Sequence, residues 1–124
     1  MAPPSPMEKP VILVAEDDGH VRDLIRQILE TEGYAVLTAA DGEQALQVSR
    51  TFPTTIHLLV SDVLMPKLGG MELCEQILRE RPALKVLLMS GTVVEQPREG
   101  VAFLRKPFRA EILRDHVRRL LPAV

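Results

Sequence analysis

Five short aliphatic runs, residues 11–15, 34–38, 56–61, 85–89 and 101–104, alternate with segments whose apolar residues recur at helical spacing. That alternation constrains the fold most. A strand returned to the same sheet edge by a helical crossover is the unit of a parallel sheet, since parallel neighbours cannot be joined by a tight turn. Runs such as Val11-Ile12-Leu13-Val14-Ala15 are continuously apolar, as strands covered on both faces must be. The first helical segment carries Val21, Leu24, Ile25, Ile28 and Leu29 at i, i+3, i+4, i+7 and i+8, and Gly33 stops it. A second helix is expected over residues 43–50, after an Asp41-Gly42 turn or cap and before Pro53. A third shows Met71, Cys74, Ile77 and Leu78 on one face and stops before Pro82. A last one runs from Pro107 or Phe108 to Leu121, with Leu113, Val117, Leu120 and Leu121 inward. The pattern predicts an α/β, doubly wound, five-stranded parallel sheet.

One connection breaks the rhythm. Gly91 to Gly100 gives ten residues, Pro97 among them, between the fourth and fifth strands, whereas a parallel crossover usually needs about a dozen or more. The fourth helix of the pattern is therefore expected to be absent or strongly shortened. Four of the ten prolines fall in residues 1–10, so residues 1–9 read as a flexible Pro-rich leader and residues 10–124 as one domain.

Composition excludes several functions. Aromatic residues make up 3% of the chain and Trp is absent, which leaves no material for base-stacking platforms. The net charge of −2 provides no field for phosphate polymers or anionic membranes. Neither nucleic acid nor membrane is expected as a direct partner. Charge is instead divided along the chain: residues 1–62 hold four Lys/Arg against ten Asp/Glu, residues 63–124 eleven against seven. A single cysteine rules out an intrachain disulfide and suits a reducing compartment. The longest apolar runs, such as residues 86–89, are too short to span a bilayer. The domain reads as soluble and cytoplasmic.

In an open parallel sheet, ligands collect outside the carboxyl ends of the strands, where strand order reverses. Glu16, Asp17 and Asp18 follow the first strand, Asp62 the third, Ser90 the fourth and Lys106 the fifth. Clustered carboxylates repel one another and drift toward protonation unless a cation joins them. All-oxygen ligation by a few side chains suits Mg²⁺, with Mn²⁺ able to take its place, and such an ion keeps waters and accepts phosphate oxygens. A carboxylate can also attack phosphorus to give an aspartyl phosphate. A metal, an ammonium (Lys106) and a hydroxyl donor (Ser90) are the groups that would share the charge of a transferring phosphoryl group.

With ILVAEDD, SDVLMP, LLMSG and FLRKPF in this order, the chain resembles the response-regulator receiver domain of two-component (phosphorelay) signalling over residues 10–124. The resemblance implies a flavodoxin-like fold of strand order 2-1-3-4-5. It implies phosphorylation of Asp62 by a histidine kinase or histidine phosphotransfer protein, switching a surface read by a downstream partner that the sequence does not name. Glu16 and Asp17 match the acidic pair that, with Asp62 and the backbone carbonyl of Leu64, holds Mg²⁺. Ser90 matches the switch hydroxyl, Lys106 the lysine before a cis-proline at Pro107, and Phe103 the switch aromatic. Leu64 and Thr92 match positions that tune the lifetime of the phosphoryl group. Such a domain catalyses its own phosphorylation and dephosphorylation and is otherwise not an enzyme. With the sequence ending at Val124, it is expected to be a stand-alone receiver or a piece of a longer protein such as a hybrid kinase.

Two other functions compete. A phosphate-independent receiver-like adaptor would signal by binding alone, but every acidic-pocket residue is retained. A haloacid-dehalogenase-type phosphatase would need a second Asp two residues after the nucleophile, where Leu64 stands. Cys74 falls on an apolar helical face, and His20, His57 and His116 lack metal-ligand spacing. Arg109, Arg114, Arg118 and Arg119 read as the solvated face of the last helix.

Overall fold

The aliphatic runs and helical segments become β1 (Val11–Ala15), α1 (Gly19–Thr31), β2 (Ala35–Ala39), α2 (Gly42–Thr51), β3 (Leu58–Asp62), α3 (Gly70–Glu80), β4 (Lys85–Ser90), β5 (Val101–Arg105) and α4 (Ala110–Leu120). The structure, a computed structural model, describes residues 9–92 and 100–121. Residues 1–8 of the expected leader, and residues 93–99, where the fourth helix was expected to be absent or strongly shortened, lie outside the described residues. Four helices are present among the described ones.

All strand pairs are parallel, in the order β2-β1-β3-β4-β5. Because the pleat sends successive side chains to opposite faces, the sheet feeds two cores. Leu13, Leu59, Val86 and Leu88 pack with Ala45 and Leu46 of α2 and Leu73, Cys74 and Ile77 of α3. Ile12, Val14, Leu58, Val60, Leu87 and Met89 pack with Ile25 and Leu29 of α1 and Leu113 and Val117 of α4. The central strands β1, β3 and β4 are nearly continuously buried, while the edge strands β2 and β5 are only partly so. This explains why the central runs are the most apolar in sequence.

Several boundaries and faces differ from the sequence reading. Leu24, placed inward by periodicity, is 57% exposed; Ile25 and Leu29 take the inward positions. In α3 the fully buried side chain beside Cys74 and Ile77 is Leu73, with Met71 and Leu78 at the margin. The last helix starts at Ala110 and not at Pro107 or Phe108, because Arg109 is extended (φ −85°, ψ 152°). Lys106-Pro107 is a cis peptide. The basic run of α4 is also not wholly a solvated face. Arg114 lies 4.0 Å from Glu32 just beyond α1, and Arg118 is hydrogen-bonded to the same carboxylate.

Polar side chains fasten the far end of the fold. Arg81, just after α3, donates to the Ser49 hydroxyl and to the carbonyls of Ser49, Phe52 and Thr54 at 2.8 to 3.0 Å. It thereby satisfies carbonyls left open at the end of α2. The Val11 amide donates to His57 Nδ1 at 2.9 Å, which gives that histidine a structural place remote from the acidic edge.

Candidate functional site

Strand register builds the site before any side chain is considered. Ala15 is level with Ser61, so Glu16 and Asp62 leave the sheet together, between β1 and β3, where the strand order reverses. Ser90 is level with Arg105, and the Lys106 amide donates to the Ser90 carbonyl at 2.8 Å. Lys106 therefore enters from the next strand ends with its side chain able to reach back.

It reaches both carboxylates. Lys106 Nζ donates to Glu16 Oε1 at 2.7 Å and to Asp62 Oδ2 at 2.8 Å. Asp17 completes a cluster in which carboxylate oxygens of Glu16, Asp17 and Asp62 all lie within 4.8 Å of one another. Glu16 is buried, Asp62 half-buried and Asp17 exposed, so the cluster opens to solvent on the Asp17 side. Backbone contacts hold Glu16 on both sides: its amide donates to the Ala39 carbonyl at 3.1 Å, and Arg22 Nη1 donates to its carbonyl at 2.9 Å.

These surroundings set the charges. Burial pushes the Glu16 carboxyl up to about 7; the Lys106 hydrogen bond pulls it back and neighbouring Asp62 pushes it up again. Burial works against the Lys106 charge, but its bonds to Asp62 and Glu16 outweigh that and raise its pKa. Glu16 Oε2 is buried with no hydrogen-bond partner among the described residues. An orphaned carboxylate oxygen beside two more carboxylates is a donor set that fits a hard divalent cation such as Mg²⁺.

A pH dependence follows for the metal-free chain. Glu16 ordinarily titrates near 4.5 and here near 7, so between those values the folded chain holds a proton that the unfolded chain has released. Stability is full below the lower value and falls as pH rises through the upper one, by on the order of 2–3 kcal/mol. Urea unfolding in the presence of a chelator should show this decline, and Glu16→Gln should flatten it. An equal slope in the variant would refute the assignment.

The remaining sequence candidates are distributed as follows. Asp18 is the N-cap of α1, its carboxylate accepting from the His20 and Val21 amides at 2.9 and 3.2 Å, which hold its pKa low. The Leu64 amide lies 3.4 Å from Asp62 Oδ1, and its side chain is 74% exposed. Ser90 is nearly buried and bonds Thr92, not Asp62. Phe103 is half-buried on β5, level with Leu88, and packs on the α2/α3 core.

Three participants escaped the sequence reading. Arg22 could have been noticed only as a cation in the helix after the acidic triplet. Gly70 starts α3 so close to β3 that a Cβ there would stand 2.2 Å from the Asp62 carbonyl oxygen; at Gly42 it would stand 2.2 Å from the Leu68 carbonyl oxygen. Between them the chain turns tightly, with Lys67 at φ +69° and the Leu68 amide donating to the Pro66 carbonyl. A glycine in sequence announces a turn, not which backbone it touches.

The model of the response regulator receiver domain matches residues 12–118. The chain belongs to that family. This receiver domain is 38% identical over 119 residues to the response regulator MprA of Mycobacterium leprae, a match covering 89% of the chain and 50% of MprA. It is 32% identical to the probable transcriptional regulator ycf27 of Porphyridium aerugineum, covering 95% of the chain and 50% of the relative. The receiver spans about half, or less, of the length of the curated relatives it matches. Among solved structures it is similar to the receiver domain of the hybrid histidine kinase CckA, with TM-score 0.82, 37% identity, and coverage of 90% of this chain and 98% of that one. The fold is the flavodoxin-like receiver fold. No helix among the described residues is long and apolar enough to cross a membrane.

Proposed function

We propose that this receiver domain accepts a phosphoryl group on Asp62, in a Mg²⁺-dependent transfer from a histidine kinase or histidine phosphotransfer protein, and that the change at the strand ends alters a surface read by a downstream protein. The observation that carries this reading is the Lys106 ammonium held between Glu16 and Asp62 beside a buried, unpartnered carboxylate oxygen. Relatives named as response regulators and a neighbour named as part of a hybrid histidine kinase support it.

Glu16, Asp17, Asp62 and the Leu64 carbonyl would hold the cation, with Mn²⁺ able to replace Mg²⁺. When bound, the ion offsets the repulsion among carboxylates and shares the negative charge of the phosphoryl oxygens. The Asp62 carboxylate supplies the electron pair for the new O–P bond as the donor's P–N bond breaks and the imidazole leaves with that bond's electrons. Lys106 is placed to follow the developing charge, because it already touches the Asp62 carboxylate. Ser90 would give a hydroxyl hydrogen bond to a phosphoryl oxygen, and Phe103 would respond to that shift. The chain promotes its own gain and loss of phosphate without acting on a separate substrate.

Incubation with phosphoramidate and Mg²⁺ should add one phosphate as an acyl phosphate labile to hydroxylamine. Asp62→Asn and chelation should each abolish it. Labelling that survives either change would overturn the reading.

Leu64 bears on how long the group lasts. Its exposed apolar side chain cannot orient the water that attacks the aspartyl phosphate. Leu64→Asn should release phosphate several-fold faster than the parent, and equal or slower release would show that Leu64 does not set the lifetime.

A further inference from the structure

Ser90 ends β4 and is 4% exposed. Among the described residues its hydroxyl meets the residue two positions on: the Thr92 amide donates to Ser90 Oγ at 3.1 Å, and the two hydroxyl oxygens lie 3.0 Å apart. An amide can only donate, so it fills a lone pair of Oγ and leaves the Ser90 proton in need of an acceptor. Thr92 Oγ1 is the hydroxyl oxygen within reach among the described residues, and either hydroxyl can donate in this contact. Thr92 is exposed and can turn its own proton to water. Lys106, the other donor at this edge, is already engaged by Glu16 and Asp62.

We propose that Ser90 is the donor in this contact and that Thr92 is a positioning residue that holds the Ser90 proton away from Asp62 and competes with a phosphoryl oxygen for it. The inference rests on Asp62 being the phosphoacceptor and adds to that reading a restraint built into this chain. Ser90 has one proton, and Thr92 Oγ1 and the phosphoryl group both require it. The free energy of the Ser90–Thr92 bond is therefore subtracted from the affinity of the domain for the phosphoryl state. Thr92 acts here through Ser90. The Thr92 amide is not a competitor: it would stay bonded to Ser90 Oγ in either state and keep the side chain oriented.

Thr92→Val removes the hydroxyl and keeps the shape and the amide, so it separates the competitor from the orienting group. Calorimetric titration with beryllium fluoride in the presence of Mg²⁺, a stable mimic of the aspartyl phosphate, reads the effect without any chemical step. Thr92→Val should bind about fivefold tighter than the parent, the worth of one ordinary hydrogen bond. Thr92→Ala should do the same, and Thr92→Ser should match the parent. In a Ser90→Ala background the gain from Thr92→Val should vanish. Equal or weaker binding by Thr92→Val, or a gain that persists without the Ser90 hydroxyl, overturns the proposal while leaving Asp62 as phosphoacceptor. A parent chain that binds no beryllium fluoride overturns both.

Discussion

Replacing Lys106 by methionine should slow phosphate incorporation by about 10²–10³-fold, the usual effect of removing one preorganised donor from a site of developing negative charge. The side-chain length is kept and the ammonium removed, so the loss is electrostatic. The same substitution should destabilise the fold in a pH-dependent way. Lys106 is bonded to a fully buried Glu16 and a largely buried Asp62, and without it both carboxylates face each other with no cation. At pH 8 this should cost about 2–3 kcal/mol, at or below the low end of the range for breaking a buried pair, since Lys106 keeps some contact with water. The sign is fixed by Glu16. Its folded pKa is already raised to about 7, and losing the Lys106 hydrogen bond raises it further. The stability difference between parent and Lys106→Met should therefore shrink as pH falls toward 4.5 and Glu16 takes up its proton in either chain. Urea titrations across pH 4.5 to 8 with chelator, beside labelling with phosphoramidate, test both halves. A difference that does not grow with pH would refute the electrostatic account.

Gly70→Ala should be almost as damaging, although it adds a single methyl group. That methyl would stand 2.2 Å from the Asp62 carbonyl oxygen and 2.9 Å from Val63 Cα. Both neighbours are backbone and neither can swing aside as a side chain would. Either the start of α3 retreats or the end of β3 bends, and Asp62 sits on that end. We expect a loss of about 3 kcal/mol, at the upper end of ordinary overpacking effects. Labelling should slow by about 10²-fold, because displacements near 1 Å at a reacting group have that consequence. Gly91→Ala is the matched control, since a Cβ there meets nothing within 4 Å, and it should change stability by under about 0.5 kcal/mol. If Gly70→Ala unfolds at the same urea concentration as Gly91→Ala and labels like the parent, the close approach of α3 to β3 does not matter.

The sequence by itself determined the class of fold and the cast of the acidic edge. The runs at residues 11–15, 56–61 and 85–89 carry their burial in their composition, because a strand covered on both faces has no place for polar residues. Polar residues interrupting such runs at their carboxyl ends, Glu16, Asp62 and Ser90, were legible for the same reason. Caps were legible too: Asp18 and Asp41 satisfy amides within three residues of themselves, a purely local contact that chain spacing specifies.

Only the tertiary structure decided what depends on distances between distant parts of the chain. Nothing local tells that Lys106, 90 residues after Glu16, bonds it and Asp62 at once. Nor does helical period tell which of Leu24 and Leu73 is covered, since an apolar stripe wider than its contact is trimmed by the neighbouring layer. Gly42 read as part of a turn, and the backbones that crowd it and Gly70 came into view only with the fold. Arg22 and Arg81 drew no notice in the sequence, and their carbonyl partners appear only in the fold. Local chemistry is written in neighbouring residues, whereas the pairing of charges across strands, and the space a helix leaves beside a sheet, exist only once register and packing have brought those residues together.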